Sequence, residues 1–384
     1  MKIGIIYYNK GKYNGGAERR YYNLINQLSF KYTLFLCVNR SIELYWKELG
    51  GFNENVKIYC IENKLQKNPS SYQTSNKTIK SKRNIFIRRL ISQIIWFIKY
   101  NYKTYFWAKK NKLKIINAVQ AAGILSIGPK IFGAKIIFSY TDYMVENGYP
   151  FKYIFNHGLK TVMRIANKYD FLSEMIPNRM IEKGLKLNKR KINLANTSFI
   201  DDINFNPAPF KKNKIIFSGR LEAIKNPFLA IEIAEKLRAK NCDFELKILG
   251  DGPLKQVLQE IIDKKQLNGY VQIKYLNNIH DELNDALIYL SLQKENNFPS
   301  QALIEAMFSG CIPIVTNVGE SKLMIKNEFG YLVNPDAIEI SNIIINVLEN
   351  RSKFIDWGYK SRNYARSQFS ISNYLNYFNT LLKF

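Results

Sequence analysis

The chain has 384 residues, 46% of them hydrophobic, with 57 Lys and Arg against 31 Asp and Glu for a formal net charge of +26. That length supports two cores of ordinary size, whereas four scattered cysteines (Cys37, Cys60, Cys242, Cys311) and two isolated histidines (His157, His280) speak against a disulfide framework, a zinc site and a histidine triad. No apolar run approaches the length of a membrane span and segment 1–8 is interrupted too soon for a secretory signal, so a cytoplasmic home is expected.

Residues 2–8 predict an apolar strand. Asn14-Gly15-Gly16-Ala17-Glu18-Arg19 then reads as a glycine turn opening a helix that runs to about residue 28. Glycines there let backbone N–H groups approach an anion with no Cβ in the way, although Gly15 and Gly16 equally suit a plain tight turn. Residues 64–82 are polar, rich in Ser, Asn and Lys, and read as a mobile loop. Over 83–114, Ile87, Leu90, Ile91, Ile94 and Ile98 recur at helical spacing, with Arg88, Arg89 and Lys99 to the sides and Trp96, Phe97, Tyr100 and Tyr102 nearby. Such a stripe either packs on a sheet or belongs to a basic amphipathic helix lying on an anionic bilayer. Lys109, Lys110, Lys112 and Lys114 extend the basic surface. Residues 135–143 read as a further strand ending in Tyr140, Thr141 and Asp142.

The charge is concentrated in this half. Residues 1–200 hold 35 Lys and Arg against 10 Asp and Glu, and residues 201–384 hold 22 against 21. A nucleic-acid-binding protein would also be basic, but no recognised reading module accompanies these cations.

A domain boundary is expected after 196–201, with Pro207 and Pro209 in a linker. Residues 214–217 form a short buried strand, broken by Ser218-Gly219-Arg220-Leu221-Glu222, before Lys225-Asn226-Pro227 leads into a helix over 228–240. Asn226 suits the cap and Pro227 the first turn. Arg220 and Lys225 on one strand-to-helix loop suit a diphosphate, or are solvated loop charges. Strand 244–249 ends in Gly250-Asp251-Gly252-Pro253, and helix 254–264, strand 271–275, a helix from 281 and strand 288–292 follow. The alternation predicts a parallel sheet with right-handed crossovers. Residues 295–320 then place an acidic, Asn-rich loop before a helix that opens near Ser300, carries Glu305 and stops at Gly310, ahead of strand 312–316 and a turn at Gly319. Strand ends and helix starts bind ligands in open α/β sheets, and a carboxylate in that helix can reach ribose hydroxyls. A last helix, 371–384, has Tyr374, Leu375, Phe378, Leu381 and Leu382 as its apolar set.

The 295–320 block resembles the signature of the retaining, two-domain glycosyltransferases called family 4, or group 1. In that family a Glu-x7-Glu pattern ends in Glu-Ala-Met, then a small residue, Gly and a Pro-containing strand; Glu305-Ala306-Met307, Gly310 and Pro313 fall on those places. The resemblance implies the GT-B fold, two Rossmann-like doubly wound α/β domains facing across a cleft. It assigns 1–200 to an acceptor-side domain, with helix 365–384 packing back on it, and 201–364 to the donor domain. It puts Gly219, Arg220 and Lys225 on the diphosphate of a UDP- or GDP-linked sugar, Gly250 near the base, Glu305 on the ribose, and the amides around Ser300, Gln301 and Ala302 on the sugar. Gly15 and Gly16 would lie at the cleft, and Glu18, Thr141 and Asp142 on the acceptor side. Many relatives carry a His near the end of the strand that here ends in Tyr140 and Thr141. Asn297 stands where most members have their first glutamate, and Glu295 could substitute through a rearranged loop. Neither a metal nor a cofactor is implied beyond the nucleotide sugar as co-substrate. The same motifs imply transfer of a hexose-type sugar to a saccharide or lipid-linked acceptor in capsule, exopolysaccharide or lipopolysaccharide synthesis, at the inner face of the plasma membrane. A nucleotide-sugar epimerase of similar shape is the enzymatic alternative.

Overall fold

The computed structural model describes residues 1–8, 16–62, 79–141, 152–276 and 278–384, with backbone alone at 16–17, 79–87, 89 and 152–157. It divides into two compact units, Met1–Asn196 with Leu375–Phe384, and Thr197–Tyr374. The cut falls at Asn196, before the predicted boundary region closes. Pro207 and Pro209 are not a linker: Phe199, Ile200 and Phe205 ahead of them are already buried in the second unit. Residues 365–374 also belong to the second unit, so only the last turns of the chain return to the first.

The first unit runs β1 (Lys2–Tyr7), α1 (Gly16–Ser29), β2 (Thr33–Asn39), α2 (Arg40–Glu48), β3 (Val56–Glu62), α3 (Ile79–Lys110), β4 (Ile115–Val119), α4 (Ile127–Ile131), β5 (Lys135–Tyr140), α5 (Lys152–Ile165), β6 (Lys168–Phe171), α6 (Met175–Glu182) and β7 (Ile192–Leu194). Its strands form one parallel sheet ordered β3-β2-β1-β4-β5-β6-β7. Parallel strands are covered on both faces, which is why β1 and β4 are near-continuous apolar runs. Asp170, buried at the end of β6, accepts from Tyr377 Oη at 2.8 Å and from Ser139 Oγ at 2.5 Å, so the returning tail completes this core.

One sequence expectation about this unit changes, and one left open is decided. Residues 79–82 open α3 rather than closing a loop, while the rest of that polar segment lies outside the described residues. The apolar stripe of α3 is not core: Ile91, Ile94 and Ile98 are exposed, and Tyr100, Asn101, Thr104, Trp107 and Ala108 are buried instead.

The second unit runs β8 (Lys212–Ser218), α7 (Pro227–Ala239), β9 (Glu245–Leu249), α8 (Lys255–Lys264), β10 (Val271–Lys274), α9 (His280–Asn284), β11 (Ala286–Ser291), α10 (Gln301–Phe308), β12 (Ile312–Thr316), β13 (Tyr331–Val333), α11 (Ala337–Glu349) and α12 (Ile355–Phe369). The chain then enters α13 (Ile371–Leu381). All six strands are parallel, in the order β10-β9-β8-β11-β12-β13. Alternate residues feed separate cores: Ile215, Phe217, Ile288 and Leu290 on one face, Ile216 and Tyr289 on the other. Asn226 holds the cap position of α7, but in a left-handed conformation with no side-chain cap bond. Pro227 does occupy the first turn.

The start of β8 carries a buried charge cluster. Lys214, only 5% exposed at its side chain, bonds Asp285 and, at 2.9 Å, Glu282, which also pairs with Lys247 at 2.7 Å. Burial alone would raise both carboxyls, but the bonded ammonium groups outweigh it and hold Glu282 and Asp285 below the usual carboxylate range. Their stabilisation is therefore complete above the unfolded-chain carboxylate range, and so at neutral pH, and is lost as pH falls through the depressed folded values. Lys214→Met should take one of two ammonium partners from each half-buried carboxylate, leaving Glu282 to Lys247 and Asp285 to Lys212, cost about 1–3 kcal/mol in urea unfolding at pH 7, and flatten the acid limb of the stability profile.

Candidate nucleotide site

In each sheet the first strand of the unit lies beside the fourth, and the crossovers leave in opposite directions from that pair. Between β8 and β11 this creates a crevice at the carboxyl ends of the strands, the place where open α/β sheets bind nucleotides. The loop after β8 holds Gly219, Arg220 and Lys225; the loop after β11 holds Gln293 to Asn297 and leads to Ser300 and α10.

The loops after β8 and β11 are joined directly at Lys225. Its Nζ donates to Gln293 Oε1 at 3.0 Å, and the Lys294 amide donates to the Ile224 carbonyl at 3.0 Å. Burial pushes the Lys225 amine below its ordinary value, and the charge of Glu222 only partly restores it. Arg220 has a side chain 61% exposed, and its contact with Glu222 is long, at 3.8 Å. One cation is thus set into the wall of the crevice and the other extends from its rim.

Glu305 sits half-buried in α10, where Gln301 Nε2 donates to its Oε1 at 2.8 Å. This i,i+4 bond fixes the carboxylate and engages the Gln301 amide group. Tyr289, fully enclosed, meets Ser218 Oγ at 3.1 Å; burial pushes its phenol up, and the neighbouring Glu305 charge adds to that. Ser300 caps the helix by position, yet its side chain makes no cap bond and its amide points to Met324 Sδ at 3.4 Å. Ala302 packs on the core. Gln293, Tyr289 and Ser218 went unread in the sequence, because their contacts join residues about seventy positions apart. The polar Gln293 at the end of an apolar strand was the one available signal.

Glu295 and Asn297 line the same small cavity with Ser300, Thr316 and Ser321, about 20 Å³ in volume, room for roughly one water molecule. Asn296 is held elsewhere: its side-chain oxygen accepts from the Glu320 amide at 2.9 Å. A Cβ on Gly319, at φ +55°, would come within 2.4 Å of the Asn296 side chain. A larger cavity of about 410 Å³ lies at the other end of this sheet, around Phe210, Lys211, Arg351 and Tyr359; Gly310 lines it, but none of the candidate catalytic, donor-binding or acceptor-side residues does.

Gly250 has a packing role. A Cβ there would lie 1.9 Å from the Gly219 carbonyl oxygen, so the loops after β8 and β9 can meet only across a glycine. In the first unit, Gly15 and Asp142 lie outside the described residues, and Gly16 opens α1. Glu18 is buried, accepting from Tyr7 Oη at 3.3 Å. Thr141 follows β5 and accepts from Gln120 Nε2 at 2.5 Å. His280 packs edge-on against Phe205, with ring centroids 4.4 Å apart, and lies away from the crevice residues. Among the described residues no group of three His, Cys, Asp or Glu side chains could hold a metal ion.

Residues 199–364 match the family model described as glycosyl transferases group 1. The matched segment spans the second unit from its first core residues into α12. The poly(ribitol-phosphate) alpha-N-acetylglucosaminyltransferase of Staphylococcus aureus (strain COL) is 26% identical over 183 residues, covering 45% of this chain and 37% of that protein. A protein of Escherichia coli (strain K12), provisionally named as the colanic acid biosynthesis glycosyltransferase WcaL, is 26% identical over 197 residues, 47% of this chain and 48% of its own. The chain therefore aligns with about half, or less, of the curated relatives it matches. Anabaena HepE, solved with UDP, covers 100% of both chains with a TM-score of 0.75 at 14% identity. That likeness establishes the fold as GT-B, as the sequence motifs implied.

Replacing Gly250 with Ala should destabilise the second unit by about 1–3 kcal/mol through the Gly219 carbonyl clash. Urea unfolding measures it, and an unchanged midpoint would mean that the two loops separate at no cost.

Proposed function

We propose that the protein is a retaining glycosyltransferase of family 4 that moves a hexose-type sugar from a UDP- or GDP-sugar to a saccharide or lipid-linked acceptor in surface polysaccharide synthesis. The observation that carries the reading is the pairing of a wall-set cation, Lys225, and a rim cation, Arg220, with the carboxylate Glu305 at one switch point of a parallel sheet. A nucleotide sugar as donor is supported by HepE having been solved with UDP and with UDP-glucose. Curated relatives named for colanic acid and for poly(ribitol-phosphate) glycosylation support the class of acceptor.

In this reading Arg220 and Lys225 take the charge that grows on the departing diphosphate, with no metal and no bound cofactor. Glu305, held by Gln301, accepts from the ribose hydroxyls, and Asn297 or Glu295 meets the sugar. The first unit supplies the acceptor side through Glu18, Thr141 and Asp142, with Gly15 and Gly16 near the donor phosphate. The protein works at the inner face of the plasma membrane, held peripherally by its basic first half. The epimerase alternative would use acid and base side chains, which Asn297 and a 135–143 segment without histidine do not provide.

Incubation with a panel of nucleotide sugars should release nucleotide diphosphate faster when lipid-linked acceptor is present; release indifferent to acceptor across the panel would remove the transfer reading. Arg220→Ala should lower kcat by roughly 10²–10³-fold, as for loss of one preorganised partner of developing charge. Lys225→Met makes a sharper pair of measurements. The folded amine titrates below its ordinary 10.5, so the unliganded protein gains stability as pH rises through that window. The variant should therefore melt higher than the parent at neutral pH without ligand, and lose the upward shift in Tm that UDP or GDP gives the parent. A variant that melts lower, or keeps the shift, counts against Lys225 as the diphosphate residue.

A further inference from the structure

No Asp or Glu occurs between Glu62 and Asp142, a stretch that holds 16 Lys and Arg and includes all of α3. The rotation of α3 is fixed by its buried side. Asn101 Nδ2 donates to the Ile124 carbonyl at 3.1 Å and Thr104 Oγ1 to the Leu125 carbonyl at 2.8 Å, with Trp107 and Ala108 buried on the same arc. On the opposite arc, at spacings of three and four, stand Ile91, Ile94, Ile95, Ile98, Tyr102 and Phe106, exposed by 44 to 65%. Lone exposed apolar residues are ordinary, but a stripe continuous over several turns marks a surface that is covered in use. Arg88, Lys99, Lys109 and Lys110 are exposed around it.

We propose that this face of α3 lies in the plane of an anionic bilayer, its isoleucines and aromatic rings at the headgroup boundary and its cations on lipid phosphates. The inference deepens the peripheral placement given under the proposed function and names the contact surface. Charge selects this occupant over a second copy of the chain, since two-fold pairing of the stripe would bring two acid-free basic helices together. Among the described residues no helix is long and apolar enough to cross a membrane, so the contact is in-plane.

The full chain, without nucleotide, should cosediment with vesicles of phosphatidylcholine and phosphatidylglycerol, should not do so with phosphatidylcholine alone, and should bind less as salt rises. Ile94→Glu with Ile98→Glu should weaken that binding at least about tenfold while leaving the far-UV circular dichroism unchanged. Lys99→Gln and Lys109→Gln, on the outer surface and harmless to packing, should each weaken it about fivefold at low salt. Failure of the parent to bind anionic vesicles, binding that ignores the isoleucine pair, or a dimer in sedimentation velocity that the isoleucine variant dissolves would overturn the proposal. Because the UDP-induced shift in Tm is read separately, absence of vesicle binding with that shift intact rejects the membrane face alone. Vesicle binding without the shift rejects the donor site alone.

Discussion

The bond between Lys225 and Gln293 is the contact on which the candidate site depends. Strands β8 and β11 are neighbours in space yet far apart in sequence, and their crossover helices leave on opposite faces, so a crevice opens between their loops. A lysine turned into that crevice from one loop and held by a side-chain oxygen from the other keeps a cation in its wall. Desolvation there is unfavourable for an ammonium group without a full counter-charge, and an incoming anion relieves it. Preorganisation of this kind places the cost in the empty protein and the gain in the complex.

Glycine geometry sets the other wall. Gly250 and Gly252 let the β9 loop lie against Gly219 and Leu221, a contact that any side chain would block. In the sequence a Gly-x-Gly is ambiguous between a ligand's approach and a backbone's approach, and here the neighbouring loop is what comes close. The same distinction applies to Asn296 and Asn297, adjacent residues of which one is tied to the turn at Glu320 and the other lines the small cavity.

Much of the fold was legible because parallel strands leave a plain trace. Strands buried on both faces are apolar throughout, so residues 214–217, 244–249 and 312–316 could be placed within a residue or two of their observed limits. The places of Glu305 inside α10 and of Lys225 in the loop after β8 were legible because the motifs that resemble the family's are local in sequence. What was not legible was non-local: Gln293 beneath Lys225, Tyr289 beside Glu305, and the bond of Tyr377 to Asp170. The stripe on α3 stayed open between two readings for a related reason. Helical periodicity reports that one face is apolar but not which way it points, and here Asn101 and Thr104, polar residues, face inward to bond carbonyls while isoleucines face out.

The return of the last residues to the first unit has a consequence for synthesis. Asp170 is made early, with Ser139 near, but its partner Tyr377 leaves the ribosome after the entire second unit. Phe378 and Leu381 arrive at the same late moment to fill apolar space. The unit begun first is thus finished last, and until then the nascent chain carries an open seam at β6 that a chaperone, or the second unit's own folding, must outlast.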